Sequence, residues 1–275
     1  MRCLGKFCVV GLLAAQASAA VAADMDDNVL RGSFSPEVQG NYVRWDGFTF
    51  GGTVGYSNLS TDSGSAAGPL IAYILRNSTL ENEFQPSSWT VMPKSVTNSM
   101  QYGGFVGYNW QMEQLVFGVD LGYNHPSSLN SQSSDLLTRR VVTSDNITHD
   151  VTLNAASSFK LVDYATVRGR VGYAFDYFQP YAMIGAAVGR FNYSTSASVI
   201  DVQSLNNVYQ GTFAQSSSDG RDNVFMGGLL VGVGLDYAVL PNVFLRAEWE
   251  YIAWGSVNGI KSALNTGRAG IGVRF

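Results

Sequence analysis

Gly267-Arg268-Ala269-Gly270-Ile271-Gly272-Val273-Arg274-Phe275 changes character at every residue. Successive side chains of an extended strand point to opposite faces. Ala269, Ile271, Val273 and Phe275 therefore share one face, and Arg268, Gly270, Gly272 and Arg274 the other. The stretch closes on the aromatic member of its apolar face. That pattern is expected of the closing strand of a barrel, which pairs with the first strand and leaves no open edge.

The same period of two recurs upstream. Val243, Leu245, Ala247, Trp249 and Tyr251 alternate with Phe244, Arg246, Glu248 and Glu250. Leu229, Val231, Val233, Leu235 and Tyr237 alternate with Leu230, Gly232, Gly234 and Asp236. Ala165, Val167, Gly169, Val171 and Tyr173 oppose Thr166, Arg168, Arg170 and Gly172. Leu115, Phe117, Val119, Leu121 and Tyr123 oppose Val116, Gly118, Asp120, Gly122 and Asn124. Tyr102 to Trp110 and Phe48 to Tyr56 alternate in the same way, whereas Pro180–Tyr193 reads as a strand whose parity is open, with Ala and Gly on both faces. Between these strands lie short turns at 111–114, 175–179 and 240–242, and long polar segments at 61–99, 125–158 and 195–222. The alternation of short and long connections predicts an all-β fold, an eight-stranded antiparallel transmembrane β-barrel over 44–275. Its short turns would be periplasmic and its long loops extracellular.

The polar face decides which side meets lipid. A soluble barrel would carry its apolar face inward. Here the polar face combines glycine with Asp120, Arg168, Arg170, Asp236, Arg246, Glu248, Glu250, Arg268 and Arg274. Small residues suit the crowded interior of an eight-stranded barrel. The apolar face supplies Tyr56, Tyr102, Tyr108, Trp110, Tyr123, Tyr173, Tyr237, Trp249 and Tyr251 near strand ends, as interfacial girdles require. Lipid therefore lies outside and charge inside.

Composition agrees. Only 14% of the 275 residues are charged, while aromatics make up 12% and glycine contributes 30 residues. At the N-terminus, Arg2 and Lys6 precede an apolar run from Phe7 to Ala17 and a small-residue site at Ala20-Val21-Ala22, which predicts a cleaved signal peptide over 1–22. Residues 23–43 are polar and irregular and read as a periplasmic lead-in segment. Both cysteines, Cys3 and Cys8, fall inside the signal, which excludes a disulfide scaffold or thiolate metal site in the mature chain. Without Arg2 and Lys6 the chain holds 15 basic and 21 acidic residues, a balance that speaks against nucleic-acid binding. After residue 23 no apolar run is long enough for a membrane-spanning helix.

The inward charges are the nearest approach to a chemical constellation. Glu248 and Glu250 share a face with Cα atoms roughly 7 Å apart, a spacing compatible with acid–base work. Charges in a narrow lumen must be paired in any case, and a salt-bridged plug meets that need without catalysis. No nucleophile, base and orienter set accompanies them in the sequence, so no enzymatic activity is expected. His125 and His149, the only histidines, fall in the second long segment and are candidate haem ligands; no metal site is otherwise expected.

Four blocks give the chain a family resemblance: Gly103–Trp110 with the following 111–122, Val167–Tyr173, Gly232–Asp236 running on to Val243–Tyr251, and Arg268–Phe275. Together they resemble the small outer-membrane β-barrel proteins of alphaproteobacteria, the opacity-like porin family that includes major surface antigens and haemin-binding proteins. The resemblance covers the barrel, somewhat under half the chain, and not the loops. It implies the bacterial outer membrane, contact with lipid, and an assembly signal in the last strand read by the barrel-insertion machinery. Gly270, Ile271, Val273 and Phe275 occupy that signal. It also implies a surface role in envelope integrity, with loops exposed to host or environmental ligands; haemin binding and passage of small solutes are the alternatives. Glu250 departs from the family, which often has Arg there, so the lumen charges must be balanced differently.

Overall fold

The computed structural model describes residues 43–275. The expected signal peptide, and all of the lead-in except residue 43, lie outside the described residues. Nine antiparallel strands form one sheet: β1 (Gly47–Asp62), β2 (Ser95–Met112), β3 (Leu115–Pro126), β4 (Leu129–Val142), β5 (Ile147–Tyr173), β6 (Phe178–Leu205), β7 (Val208–Leu240), β8 (Val243–Val257) and β9 (Ile260–Arg274). β3 and β4 pair in succession along the same edge of β5, Leu115–Asn124 with 164–173 and Leu129–Val142 with 148–161. β4 thus prolongs β3 beyond a break at 127–128, and the nine strands make eight staves. β9 pairs with β1 through Val273↔Phe50 and Ala269↔Val54, and Phe48 and Phe275 exchange backbone hydrogen bonds of 3.1 and 2.9 Å. The ring is closed.

The apolar face of every stave points outward. Val54, Tyr102, Leu121, Val171, Ile184, Leu229 and Ile271 are all exposed, as a lipid-facing belt must be. The open parity of the sixth strand is resolved: Ile184 and Val188 are exposed, while Tyr181, Met183, Ala187 and Phe191 are buried in the lumen.

The long segments depart from the sequence reading. Instead of irregular loops, 125–158 and 195–222 are tall β-hairpins. A crossing takes roughly ten residues per strand, whereas β5, β6 and β7 have 27, 28 and 33, so more than half of β6 and β7 stands outside the bilayer. The β6–β7 hairpin closes on Asn206 and Asn207, with φ of 51° and 65°, and β8–β9 on Asn258 and Gly259, with φ of 48° and 73°. Both are two-residue turns with positive φ at each central position, which Asn and Gly tolerate best.

Segment 61–99 carries helices α1 (Gly68–Ile74) and α2 (Thr79–Phe84), followed by a 3-10 turn at Pro86–Ser88. Ser78 caps α2, its side chain accepting from Glu81 N at 3.1 Å. The helices fold over the extracellular end. Ile71, Ile74, Leu75 and Leu80 are buried with Met92, Leu129, Val151, Leu153 and Val199. The lumen wall therefore inverts along its height. Up to Ala165 on β5 and Val188 on β6 the outward residues are apolar; beyond them come Asp163, Lys160 and Ser158, and Arg190, Asn192 and Ser194. Inward, Arg168 and Arg170 give way to Leu161, Phe159, Ala155 and Leu153. The strand register of β5 and β6 shifts at this boundary, between Leu161 and Asp163. An Arg190–Asp163 ion pair marks it, with Tyr123 Oη 3.1 Å from Asp163 Oδ2.

Candidate functional site

Half-way up the lumen the inward positions of β3, β5, β7, β8 and β9 converge. Four arginines (Arg168, Arg170, Arg246, Arg268) meet four carboxylates (Asp120, Asp236, Glu248, Glu250), with side chains 0–2% exposed. Arg246 grips Asp236 bidentately, Nε to Oδ1 at 2.9 Å and Nη2 to Oδ2 at 2.8 Å, and reaches Asp120 at 3.0 Å. Its guanidinium lies 4.0 Å from the Phe105 ring centroid. Arg170 donates to Asn109 Oδ1 at 2.6 Å and to Asp236 Oδ2 at 3.3 Å. Arg268 meets Glu248 at 2.5 Å and Glu250 at 2.8 Å, and Arg168 donates to Glu248 at 3.1 Å. The Tyr181 hydroxyl donates to Glu248 Oε1 at 2.7 Å; the Tyr164 hydroxyl lies 3.1 Å from Glu250 Oε1 and 3.0 Å from Gln101 Oε1.

Inward glycines make room for these side chains. A Cβ on Gly107 would collide with the Asp120 carboxylate, and one on Gly234 with the Tyr181 ring. Eight charges of zero net sum, taken out of water together, are tolerable only because each has partners. The arrangement is an ion-paired stopper. Its carboxylates accept from arginine guanidinium groups and from the phenolic hydroxyls of Tyr164 and Tyr181.

Arg274 stays apart from this cluster. It lies at the periplasmic mouth, donating to Pro241 O at 2.6 Å with its guanidinium 4.9 Å from the Trp45 ring centroid. Register puts Arg274 beyond the end of the pairing column that joins Arg268 to Glu248, so of the two β9 arginines it is Arg268 that meets Glu248 and Glu250. Trp45, Phe105, Val116, Ala174, Ala238 and Phe244 close this end with an apolar layer. Above the charges, Phe191 stacks on Phe159 at 5.0 Å and meets Trp254 edge-on at 5.1 Å. The stopper is thus bracketed by apolar layers on both sides.

The residues expected to form an assembly signal lie on β9, with Phe275 immediately after it. Ile271 and Phe275 face outward, and the Phe275 ring stacks on Phe50 at 5.7 Å. The two histidines do not come together. His125 lies on the outer face, 5.3 Å from the Tyr102 ring. His149 is buried on the inner face, its Nδ1 2.7 Å from Asp201 Oδ2 and its Nε2 3.1 Å from Thr143 Oγ1. The tall hairpins therefore assemble a hydroxyl, imidazole and carboxylate that sequence reasoning missed. The Thr143 hydroxyl already has acceptors in Asp145 Oδ1, 2.5 Å away, and Ile147 O, 3.2 Å away. This ties Thr143 into a hydrogen-bond chain and leaves no free nucleophile. Burial of Asp201 by β-alternation with Ala197 and Val199 was the signal available for it.

A closed eight-stave barrel with an outward apolar belt, aromatic girdles and a charged lumen defines a transmembrane β-barrel of the bacterial outer membrane. Comparison with known proteins makes this specific. A family model for the outer membrane protein beta-barrel domain matches residues 7–275, and the chain belongs to that family. It is 27% identical over 186 residues to a 22 kDa outer membrane protein of Rhizobium leguminosarum bv. viciae, covering 63% of this chain and 66% of that one. Among solved structures it is similar to Ail, the attachment invasion locus protein of Yersinia pestis, at 14% identity and a TM-score of 0.36, covering 83% of this chain and 99% of Ail. It is also similar to Neisserial surface protein A, at 17% identity and a TM-score of 0.33, over 83% of this chain and 97% of that one.

Proposed function

We propose that this barrel is a non-conducting, non-enzymatic surface protein that supports the envelope and carries a rigid extracellular β-sheet for contact with external ligands. The observation that carries the reading is the filled lumen: an ion-paired stopper bracketed by apolar layers, with α1 and α2 folded over the outer end. A solute pore needs a continuous wet path, and buried arginines at 0–2% exposure leave none at that level. The contact surface is the sheet of β4 to β7 above the membrane. There β7 pairs with β6 from Val208, but with β8 only from Gly228, so its upper half is an open edge. Unpaired edge groups are a template for an extended partner segment. Assembly through the barrel-insertion machinery, read from the β9 signal, belongs to the same reading. Purified protein in planar bilayers tests it. Silent insertion is expected; steady conductance steps would overturn the reading in favour of a small-solute pore.

Haemin binding is the other reading raised by the sequence. With His125 outside and His149 inside the wall, a single iron cannot take both, and both His149 ring nitrogens are engaged. An unchanged haemin-binding assay after replacing both with Ala would remove the motive for it.

A further inference from the structure

We propose that His149 is a proton-operated latch that fastens the helical cap to the extracellular sheet. The ring is buried, at 6% exposure, between β6 and the β4–β5 turn. Asp201 Oδ2 accepts from Nδ1–H at 2.7 Å. On the other side Thr143 Oγ1 lies 3.1 Å from Nε2. Asp145 Oδ1 is 2.5 Å from the same Oγ1 and also accepts from Ile147 N at 3.2 Å. A carboxylate has no proton to give, so the Thr143 hydroxyl donates to Asp145 and offers only lone pairs to the ring. The chain Asp201, His149, Thr143, Asp145 is complete only when both ring nitrogens carry protons. A neutral ring still donates to Asp201, but its Nε2 becomes an acceptor; Thr143 must then turn its proton away from Asp145.

What the chain holds is the turn at 143–146, where Asn146 has φ of 61°. The next residue in that turn, Ser144, donates from its backbone N and its hydroxyl to Glu83 of α2, at 3.0 and 2.5 Å. The proton on His149 is thereby linked through two hydrogen bonds to a helix of the cap. Asp201 on β6 and Thr143 on the turn contact the ring, and Asp145 on the turn, Arg76 after α1, Gln203 on β6 and the apolar Phe213 on β7 line the same cavity. Asp150 points to the opposite face and pairs with Arg140.

The direction of the pH effect follows from linkage. Histidine contacts that require the proton stabilise the latch at low pH and are lost as pH rises through the titration of the ring. Asp145 works in the opposite sense. The Thr143 hydroxyl, and then Ile147 N–H, hold its carboxyl below the usual range, so its contribution is present above the ordinary carboxylate value and fails only as pH falls below that range. Between the two the latch is closed.

The test is amide hydrogen exchange of the intact barrel in lipid nanodiscs at about pH 5 and about pH 8, corrected for intrinsic exchange rates. Protection of 143–147 and of α2 is expected to fall about tenfold at the higher pH, the scale of one hydrogen bond, while β8 and β9 stay unchanged. His149→Gln is expected to show the low protection at both, and His125→Gln to keep the wild-type response. Nitrogen-15 shifts of His149 should report a doubly protonated ring at about pH 5. A neutral ring there, protection independent of pH, or a response that survives His149→Gln would overturn the proposal. Should His149→Gln fail to insert, Thr143→Val removes the hydroxyl that joins Nε2 to the turn and must abolish the same response. The readout is local protection, so it stands or falls separately from whether the barrel conducts.

Discussion

Replacing Arg246 by Met keeps an apolar, unbranched stem in the lumen while removing the guanidinium over Phe105 and with it one of the four cations of the stopper. Asp236 loses a bidentate partner at 2.8 and 2.9 Å, and Asp120 one at 3.0 Å. The carboxylates left behind retain only longer contacts, Asp236 to Arg170 at 3.3 Å and Asp120 to Arg170 and Arg168 at 3.4 and 3.6 Å. Three arginines then face four carboxylates in a layer no water reaches. Breaking a buried pair by removing one partner costs about 3–5 kcal/mol; the residual contacts place this case near the lower figure. Urea unfolding of the barrel in lipid vesicles, followed by tryptophan fluorescence, measures it.

A second substitution tests the cause. Asp236→Asn in the Arg246→Met background restores three charges of each sign, and the double variant is expected to recover at least half of the loss. The exposed Arg140–Asp150 pair supplies the contrast: its arginine is 71% exposed, and Arg140→Met should leave unfolding unchanged. If Arg246→Met unfolds at the wild-type urea concentration, or if Asp236→Asn adds to the loss instead of offsetting it, the buried charges are not coupled and the stopper is misread.

Three further outcomes follow from the geometry. Deleting Phe275 removes the Phe50 stack and the last backbone pair with Phe48, and is expected to lower the amount reaching the outer membrane more than it lowers the stability of barrel already inserted; wild-type levels in membrane fractions would sink the assembly-signal reading. Leu80→Ala opens a hole under the cap at a fully buried leucine, and should cost about 2–5 kcal/mol or, where the cap detaches as a unit, expose 63–93 to protease on whole cells. Intact protease resistance together with wild-type stability would contradict the packed cap. Single cysteines at Val188 and Ser194 place the membrane boundary: a membrane-impermeant maleimide on cells should label Ser194→Cys and spare Val188→Cys, and the reverse pattern would move the boundary.

The barrel was legible because its strands obey one rule, apolar outward and small or charged inward, and because the periplasmic turns break it cleanly. Arg168, Glu248 and Arg268 were readable as lumen charges from parity alone. Their partners were not, since which column meets which depends on register across the closed ring, and register separates Arg274 from the other inward charges. The tall hairpins were missed for a related reason. Val151, Leu153, Ala155, Ser157 and Phe159 alternate as strictly as the barrel strands, but their neighbours are Thr, Asn, Ala and Ser and read as loop. Asn206-Asn207 and Asn258-Gly259 were the turn signals that would have revealed two hairpins. α1 and α2 are too short for a helical period to stand out, and Ser78 with Glu81 was the cap signature left unused.

That reversal of pattern explains why this chain needs a cap at all. Inside the bilayer the lumen is held together by charge, because the outer face must be apolar and the inner one holds what lipid will not. Above Asp163 and Arg190 the outer face meets water, and the same strands carry their apolar residues inward. Four strands curved around Leu129, Val151, Leu153 and Val199 do not close on themselves, because β1, β2, β8 and β9 end lower down. The uncovered inner face has to be buried by something else in the chain. The β1–β2 connection supplies it, with Ile71 and Ile74 on α1 and Leu80 on α2, whose start Ser78 caps. On this argument the cap is the missing wall of the extracellular half. Lengthening β8 and β9 by grafting an alternating hairpin should make α1 and α2 dispensable, whereas deleting them from the native chain should leave the β5–β7 extension exchanging its amides freely. Protection of 150–161 that is unchanged by such a deletion would show that the extension stands without its cap.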